Sequence, residues 1–387
     1  MPVFRKLSAL IAAIAFLCLA TAASAATKHY LIANDDVPPK SPTGATFYTV
    51  AKDGSLTLAD RVLTGGEGIA AGLFGTQRVV VLQSGKLQCA FLSMATTGAV
   101  VGIPMGSLKP GHAVRGSNTD DGTVGGIGLA VNANYLYAGF TTSNTIGTFQ
   151  VMPGCQLQFV GDVAVGGLQG GMVDGMALTG NLLVVTYGDG SIESFDVSSG
   201  MPVSNGDKQN STGQKGNNWP AGVDITRDGH YAIFGDVATS AVVEVSDISS
   251  GQLTPTVVYH LGANLSSANV RLSPDQTLLY VSNTQGGEVS AAFFDATTGK
   301  LSKGCSSKPL KGYGTDWAYL GTILTAFNSG SGSVLYVAEY GAPSSIGIVR
   351  VQVNGGKCAL QETQTSPTPE PNSPGLLSIG VYPTRPF

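Results

Sequence analysis

Leu278-Leu279-Tyr280-Val281 is an apolar run that ends in the small and polar Ser282-Asn283, followed by an amphipathic stretch and a Gly-rich hairpin at Thr298-Gly299. The same arrangement recurs along the chain. Its other apolar cores are Tyr30-Leu31-Ile32-Ala33, Val79-Val80-Val81-Leu82, Tyr135-Leu136-Tyr137-Ala138, Leu182-Leu183-Val184-Val185, Tyr231-Ala232-Ile233-Phe234 and Val334-Leu335-Tyr336-Val337. They lie about 50 residues apart, the period of propeller blades and longer than that of helical solenoids. Seven repeats predict an all-β, seven-bladed β-propeller.

Outward from these cores the turns agree. Asp53-Gly54 stands between Ala45–Val50 and Ser55–Val62, a strong hairpin signal. Ser199-Gly200, Asp228-Gly229, Ser250-Gly251 and Gly355-Gly356 repeat the device. Strict alternation in Ile192–Val197 and Ile346–Val351 marks half-buried strands in mid-blade. Strands crowded round an axis need small residues, and Gly68–Gly72, Gly125–Gly128 and Gly175–Ala177 fit innermost positions. None of these glycine stretches has the spacing of a phosphate loop. Leu376–Tyr382 is a strand without a blade, while the first blade begins at Tyr30 without an innermost strand. The C-terminal strand is therefore expected to complete blade 1 and close the ring.

The composition suits tightly turned, closely packed sheets: 12% charged, 43% hydrophobic and 53 glycines in 387 residues. Residues 1–25 read as an export signal, with Arg5 and Lys6, the apolar Leu7–Leu19 and the small Ala23-Ser24-Ala25. Residues 26–387 then form one propeller domain, exported to the periplasm or the outside and expected to be a monomer. Cleavage would move the net charge from −4 to about −6. An acidic chain without a basic run is a poor partner for nucleic acid, and no second apolar run predicts membrane insertion. Cys89, Cys155, Cys305 and Cys358 allow three disulfide pairings, of which Cys89–Cys155 with Cys305–Cys358 would join neighbouring blades. Their spacing matches no zinc set, and no metal or cofactor is predicted.

Blade 6 carries a family likeness. Ser267-Ala268-Asn269-Val270-Arg271-Leu272-Ser273-Pro274-Asp275, then Leu278–Asn283 and Phe294-Asp295 through Gly299-Lys300-Leu301, resembles the YVTN-type blade of lactonase-family propellers, which include 6-phosphogluconolactonase. Trp219–Tyr231 in blade 5 is similar. The resemblance implies a seven-bladed propeller and a lactone-opening hydrolase. This chain departs from the family at the residues nearest that chemistry. Asn269 stands where the family often has Glu in Ala-Glu-Ile-Arg, although Arg271 is kept. Ala221-Gly222 replaces an Arg-His pair, and Gly235-Asp236 stands where Asn-Glu is usual. Arg and His are the groups suited to holding a sugar lactone or a phosphate.

In a propeller, the starts of innermost strands and the ends of second strands share one face at the channel mouth. Glu67, Asp174, Trp219, Asn269, Arg271, Asp316 and Trp317 belong to the first group, and Asp35, Asp36, Asp189, Asp236, Asn283 and Glu339 to the second. Asp236, Glu339 and Asp174 are the candidate bases, and Arg271 the group that would stabilise an oxyanion. Glu67, Trp219, Asn269, Asp316 and Trp317 are candidate ligand contacts, the tryptophans as stacking platforms. His112, in the polar loop Lys109–Thr123, joins them because a long loop between short turns is a functional one more often than average. Two readings follow. The first is an exported propeller that binds a small molecule, a glycan or another protein at its channel face without strong catalysis. The alternative is a lactone hydrolase.

Overall fold

The protein is described from a computed structural model covering residues 28–35, 41–68, 76–116, 126–212, 218–237, 242–261, 266–284, 286–313, 319–329, 332–340, 344–372, 376 and 378–383. Residues 1–25, and with them the expected export signal, lie outside these, as do Asp36, Asp316 and Trp317.

Seven antiparallel sheets make seven blades. The second strands are Tyr30–Asn34, Leu87–Met94, Tyr135–Phe140, Leu182–Tyr187, Tyr231–Asp236, Leu278–Asn283 and Gly332–Tyr340. Six of them contain the apolar cores read from the sequence. Blade 2 is the exception: Val79–Ser84 is its innermost strand, and Leu87–Met94 takes the second position. Of the Gly68–Gly72 run assigned to an innermost strand, Gly68 follows the outer strand of blade 1, and residues 69–72 are outside the described set. The two glycine runs assigned to blades 3 and 4 do lead into or lie within innermost strands, Ile127–Val131 and Val173–Thr179.

The second strands are apolar throughout because both of their faces are covered by neighbouring blades. Ile233, Val243 and Val245 of blade 5 pack on Val270, Leu272, Leu279, Val281 and Phe294 of blade 6. Leu31, Ala33 and Tyr48 of blade 1 pack on Val334, Tyr336, Ala338, Ile346 and Ile348 of blade 7. That last contact is continuous because Ile379–Tyr382 pairs antiparallel with Tyr30–Asn34 as the innermost strand of blade 1. The ring closes as expected from the sequence.

Both disulfides join neighbouring blades. Cys89 in blade 2 bonds Cys155, which follows the third strand of blade 3, and Cys305 in blade 6 bonds Cys358 in blade 7. The segment before blade 2 crosses the channel. The Thr76 amide donates to the Asp174 carbonyl of blade 4, and the Gln77 side chain donates to the Val223 carbonyl of blade 5 (3.3 and 3.4 Å). No helix among the described residues is long and apolar enough to cross a membrane.

Candidate functional site

The innermost strands of blades 4 to 7 share an irregularity near their starts. Pairing with the second strand slips between Val173 and Met176, Pro220 and Val223, Ser267 and Asn269, and Leu320 and Ile323. Bulges of this kind re-aim side chains and often flank functional sites. In blade 4 the slip lies at Asp174 and Gly175. The Thr186 hydroxyl accepts from the Gly175 amide (2.8 Å) and donates across to the Ala221 carbonyl of blade 5 (3.1 Å). In blade 6 the Asn269 amide donates to Ser282 Oγ (3.2 Å).

These slips bring three of the sequence candidates together. Trp219 stands just ahead of the blade 5 innermost strand, half-buried, and its indole Nε1 donates to Asp174 Oδ2 of blade 4 (2.6 Å). Its backbone amide donates to Asp236 Oδ1 at the end of the second strand of blade 5 (3.0 Å). Both carboxylates are fully buried. Trp219 is thus fixed from two blades by charge-assisted bonds, the stronger class of hydrogen bond.

A fourth group, absent from the sequence candidates, completes the cluster. Glu244, on the third strand of blade 5, is fully buried and within reach of Asp236 and the Ser211 hydroxyl. Burial and then the Asp236 carboxylate push its pKa up to about 8, only partly offset by Ser211. Burial thus favours the protonated form of Glu244.

The other candidates lie apart from this cluster. Glu339, at the corresponding position of blade 7, faces Ser345, whose hydroxyl donates to Oε2, and closes against Gly312 and Gly347. Burial raises its pKa to about 7. Arg271 is held by Asp224 of blade 5 (3.6 Å), whose other oxygen accepts from the Leu272 amide (2.8 Å). The guanidinium thus neutralises a carboxylate of the neighbouring blade, and its place opposite Tyr280, near the end of the strand, sets it away from the mouth, the position expected from the sequence. Asn269 is buried against Gly222. Glu67 ends the outer strand of blade 1 and donates its amide to Thr97 Oγ1 (2.7 Å) at the rim between blades 1 and 2. His112 is exposed just ahead of the outer strand Val114–Arg115 of blade 2, at the edge of the sheet furthest from the channel. It is not part of the site. Asn283 bonds Ser290 within its own blade, and Asp189 accepts from the amides of Gln169, Gly171 and Ser191, so both are structural. No group of three or more metal-ligating side chains occurs among the described residues.

A family model described as the seven-bladed β-propeller lactonase matches residues 128–373, well over half of the chain. The chain belongs to the lactonase family. Solved structures agree on the fold. A candidate 6-phosphogluconolactonase from Bacteroides uniformis is 13% identical and superposes with a TM-score of 0.70 over 92% of this chain and 99% of that one. A protein from Lactobacillus plantarum is 16% identical, with a TM-score of 0.66 over 92% and 99% of the two chains. The periplasmic gluconolactonase of Pseudomonas aeruginosa is 10% identical, with a TM-score of 0.64 over 93% and 100%. Comparison with curated proteins finds no match. At these identities the likeness establishes the propeller and leaves the chemistry to the site.

This lactonase-family member builds its mouth differently from the YVTN-type pattern its blade 6 resembles. Ala221-Gly222, standing where that pattern has Arg-His, occupies the slipped segment of blade 5. A Cβ on Gly222 would lie 2.7 Å from both the Ala268 carbonyl oxygen and the Asn269 Cα. The neighbouring blade fills the space that a larger side chain would need.

Proposed function

We propose that this lactonase-family propeller binds a small, uncharged ring of the sugar or lactone class at the channel face of blades 4 to 6, without strong catalysis. The observation that carries the reading is Trp219, fixed at both its indole and its backbone N–H by buried carboxylates of two blades. A ring so restrained is a preorganised stacking platform, and ligand binding then costs little side-chain entropy. The candidate bases are already engaged: Asp174 and Asp236 hold Trp219, and Arg271 pairs with Asp224. An uncharged ligand is favoured because Arg271 is neutralised by Asp224 and, paired opposite Tyr280, lies toward the other end of its strand from the mouth. Two disulfides between blades support an exported protein. Its expected state is a monomer, and a glycan or another protein presenting such a ring would meet the same face.

The second reading, a lactone hydrolase, is favoured by family membership together with the Asp236–Glu244 pair. Two buried carboxyl groups side by side, with Glu244 favoured in its protonated form, could serve as base and acid for ring opening. One experiment separates the two. Purified protein is titrated with gluconolactone and a panel of aliphatic lactones, following tryptophan emission and acid release together. Binding without turnover predicts a saturable emission change that survives Trp317→Phe and is lost in Trp219→Phe, with acid release at the uncatalysed rate. Turnover abolished by Asp236→Asn would establish the hydrolase instead. A flat emission response across the panel would remove the binding reading.

A further inference from the structure

The end of the second strand and the facing residue of the third strand form the same slot in successive blades, so the slots can be compared directly. The facing residue is the one paired two positions before the strand end, Gly147 opposite Ala138, Glu193 opposite Val185, Glu244 opposite Phe234 and Ser290 opposite Val281; in blade 7, whose strand runs one residue further, it is Gly347 opposite Val337, two positions before Glu339. Blade 3 fills the slot with Phe140 over Gly147, whose Cβ would meet the ring at 2.8 Å. Blade 4 sets Tyr187 against Glu193, with the phenol donating to Oε2 (2.8 Å), Ser204 donating to Oε1 (2.6 Å) and Lys208 supplying the countercharge (3.1 Å). Blade 6 pairs Asn283 with Ser290 (2.9 Å). Blade 7 sets Glu339 over Gly347. In each, one partner is small, neutral or a donor. Blade 5 alone among these sets two carboxyl groups against each other, Asp236 and Glu244.

We propose that Glu244 is a positioning residue: it shares a single proton with Asp236, and that proton keeps Asp236 in place to hold the backbone of Trp219 at the channel face. Without a proton, the two buried carboxylates would repel each other, and Asp236 is the one tied to Trp219. Among the described residues, the groups acting on Glu244 are the Asp236 carboxylate from the second strand and the Ser211 hydroxyl from the segment after blade 4. The outer strand opposes it with Val258. None of these is cationic, in contrast to Lys208 in blade 4. The raised pKa of Glu244, about 8, agrees with this arrangement. Trp219 is therefore held firmly at neutral pH and released as the pH rises. That Trp219 receives a ligand rests on the function proposed above. The sharing of the proton does not.

The test uses the ligand-free mature protein carrying Trp317→Phe, which leaves Trp219 as its one tryptophan. Its emission is followed from about pH 6 to about pH 9.5, where an ordinary tyrosine is still mostly protonated. The expected result is one transition with its midpoint near 8. Adding Glu244→Gln should abolish it and leave the low-pH spectrum throughout, because the amide keeps a donor toward Asp236 and cannot ionise. Adding Asp236→Asn, which removes the like charge, should move the midpoint to lower pH and tests the pair even if the glutamine variant does not fold. A flat parent titration, or a transition unchanged by both substitutions, overturns the proposal. So does a transition that added calcium chloride suppresses while sodium chloride of equal ionic strength does not, since a cation and not a proton would then bridge the pair. A clear transition in a protein that binds no lactone leaves this inference standing and removes only the functional reading. Lactone binding without the transition does the reverse.

Discussion

Gly222 shows how one position can decide what a site is able to hold. Its missing side chain would run into backbone atoms of blade 6, which unlike a flexible side chain cannot move aside. Gly222→His, which restores the family-type residue, is expected to destabilise the protein by about 1–3 kcal/mol through overpacking and not to create lactone turnover. Thermal unfolding with an acid-release assay checks both, and a stable, active variant would show that blade 6 yields easily. Glu339 gives a second prediction at this scale. Burial, with a smaller push from Glu362, raises its pKa from 4.5 to about 7, against opposing effects from Ser345 and Lys311. The folded state therefore binds a proton that the unfolded chain has released, and stability falls as pH rises between about 4.5 and about 7. Glu339→Gln removes that dependence. The melting temperature of the variant relative to the parent should climb across this window and level off above it. A constant difference at every pH would mean that Glu339 does not titrate there.

Elements carry the next level of argument, and the outer strand of blade 4 is the clearest case. It is reduced to Val203–Ser204 and Gln209–Asn210, and the Asp207 carboxylate between them does the work of a strand. It accepts from the Ser194 amide and hydroxyl (2.9 and 2.6 Å) and from the Leu253 amide of blade 5 (2.7 Å). Asp207→Ala strands these buried donors and should cost about 3 kcal/mol, measured by denaturant unfolding; a loss below about 0.5 kcal/mol would show that water replaces the carboxylate. The same scale explains what could be read without coordinates. Second strands were legible because burial on both faces makes them continuous apolar runs. Val79-Val80-Val81-Leu82 reads as one because in blade 2 the innermost strand is also apolar, and composition alone does not separate the two. Arg78, almost wholly buried just ahead of that strand, carries no sequence signal of its place for the same reason. Asp174, Trp219 and Asp236 were legible from their place at strand starts and ends. Glu244 was not, because it lies inside a third strand, where no loop or strand end draws attention to it. Its signal is a carboxyl among valines, in Val242-Val243-Glu244-Val245, at a position where an ordinary buried strand carries none.

At the scale of the whole molecule the question is what holds the ring shut, and the C-terminal segment does so through three sets of contacts. Ile379–Tyr382 pairs with blade 1. The Ser378 hydroxyl accepts from the amides of Arg78 and Val79 of blade 2 (2.9 and 3.1 Å). Ahead of the strand, Glu370 accepts from Tyr48 and Thr46 of blade 1, and Thr46 also donates to Asp35, which pairs with Arg61 (2.8 Å). The disulfides reinforce other joints, between blades 2 and 3 and between blades 6 and 7, closing loops with sequence separations of 66 and 53 residues. On the chain-entropy account each restrains the unfolded state by about 4 kcal/mol. Reduction should therefore lower the melting temperature while the blades of the folded ring remain paired. Removal of every residue after Asn372 should act differently. It strips the innermost strand from blade 1, exposes the edge of Tyr30–Asn34 and uncovers the contact of Leu31 and Ala33 with blade 7. An open edge next to an uncovered apolar face promotes association. The truncated chain should accordingly lose its single cooperative transition and aggregate, and a peptide of residues 373–387 added in trans should restore solubility. A truncated protein that stays monomeric and unfolds in one step would show that blade 1 needs no C-terminal strand and that the other interblade contacts alone close the ring.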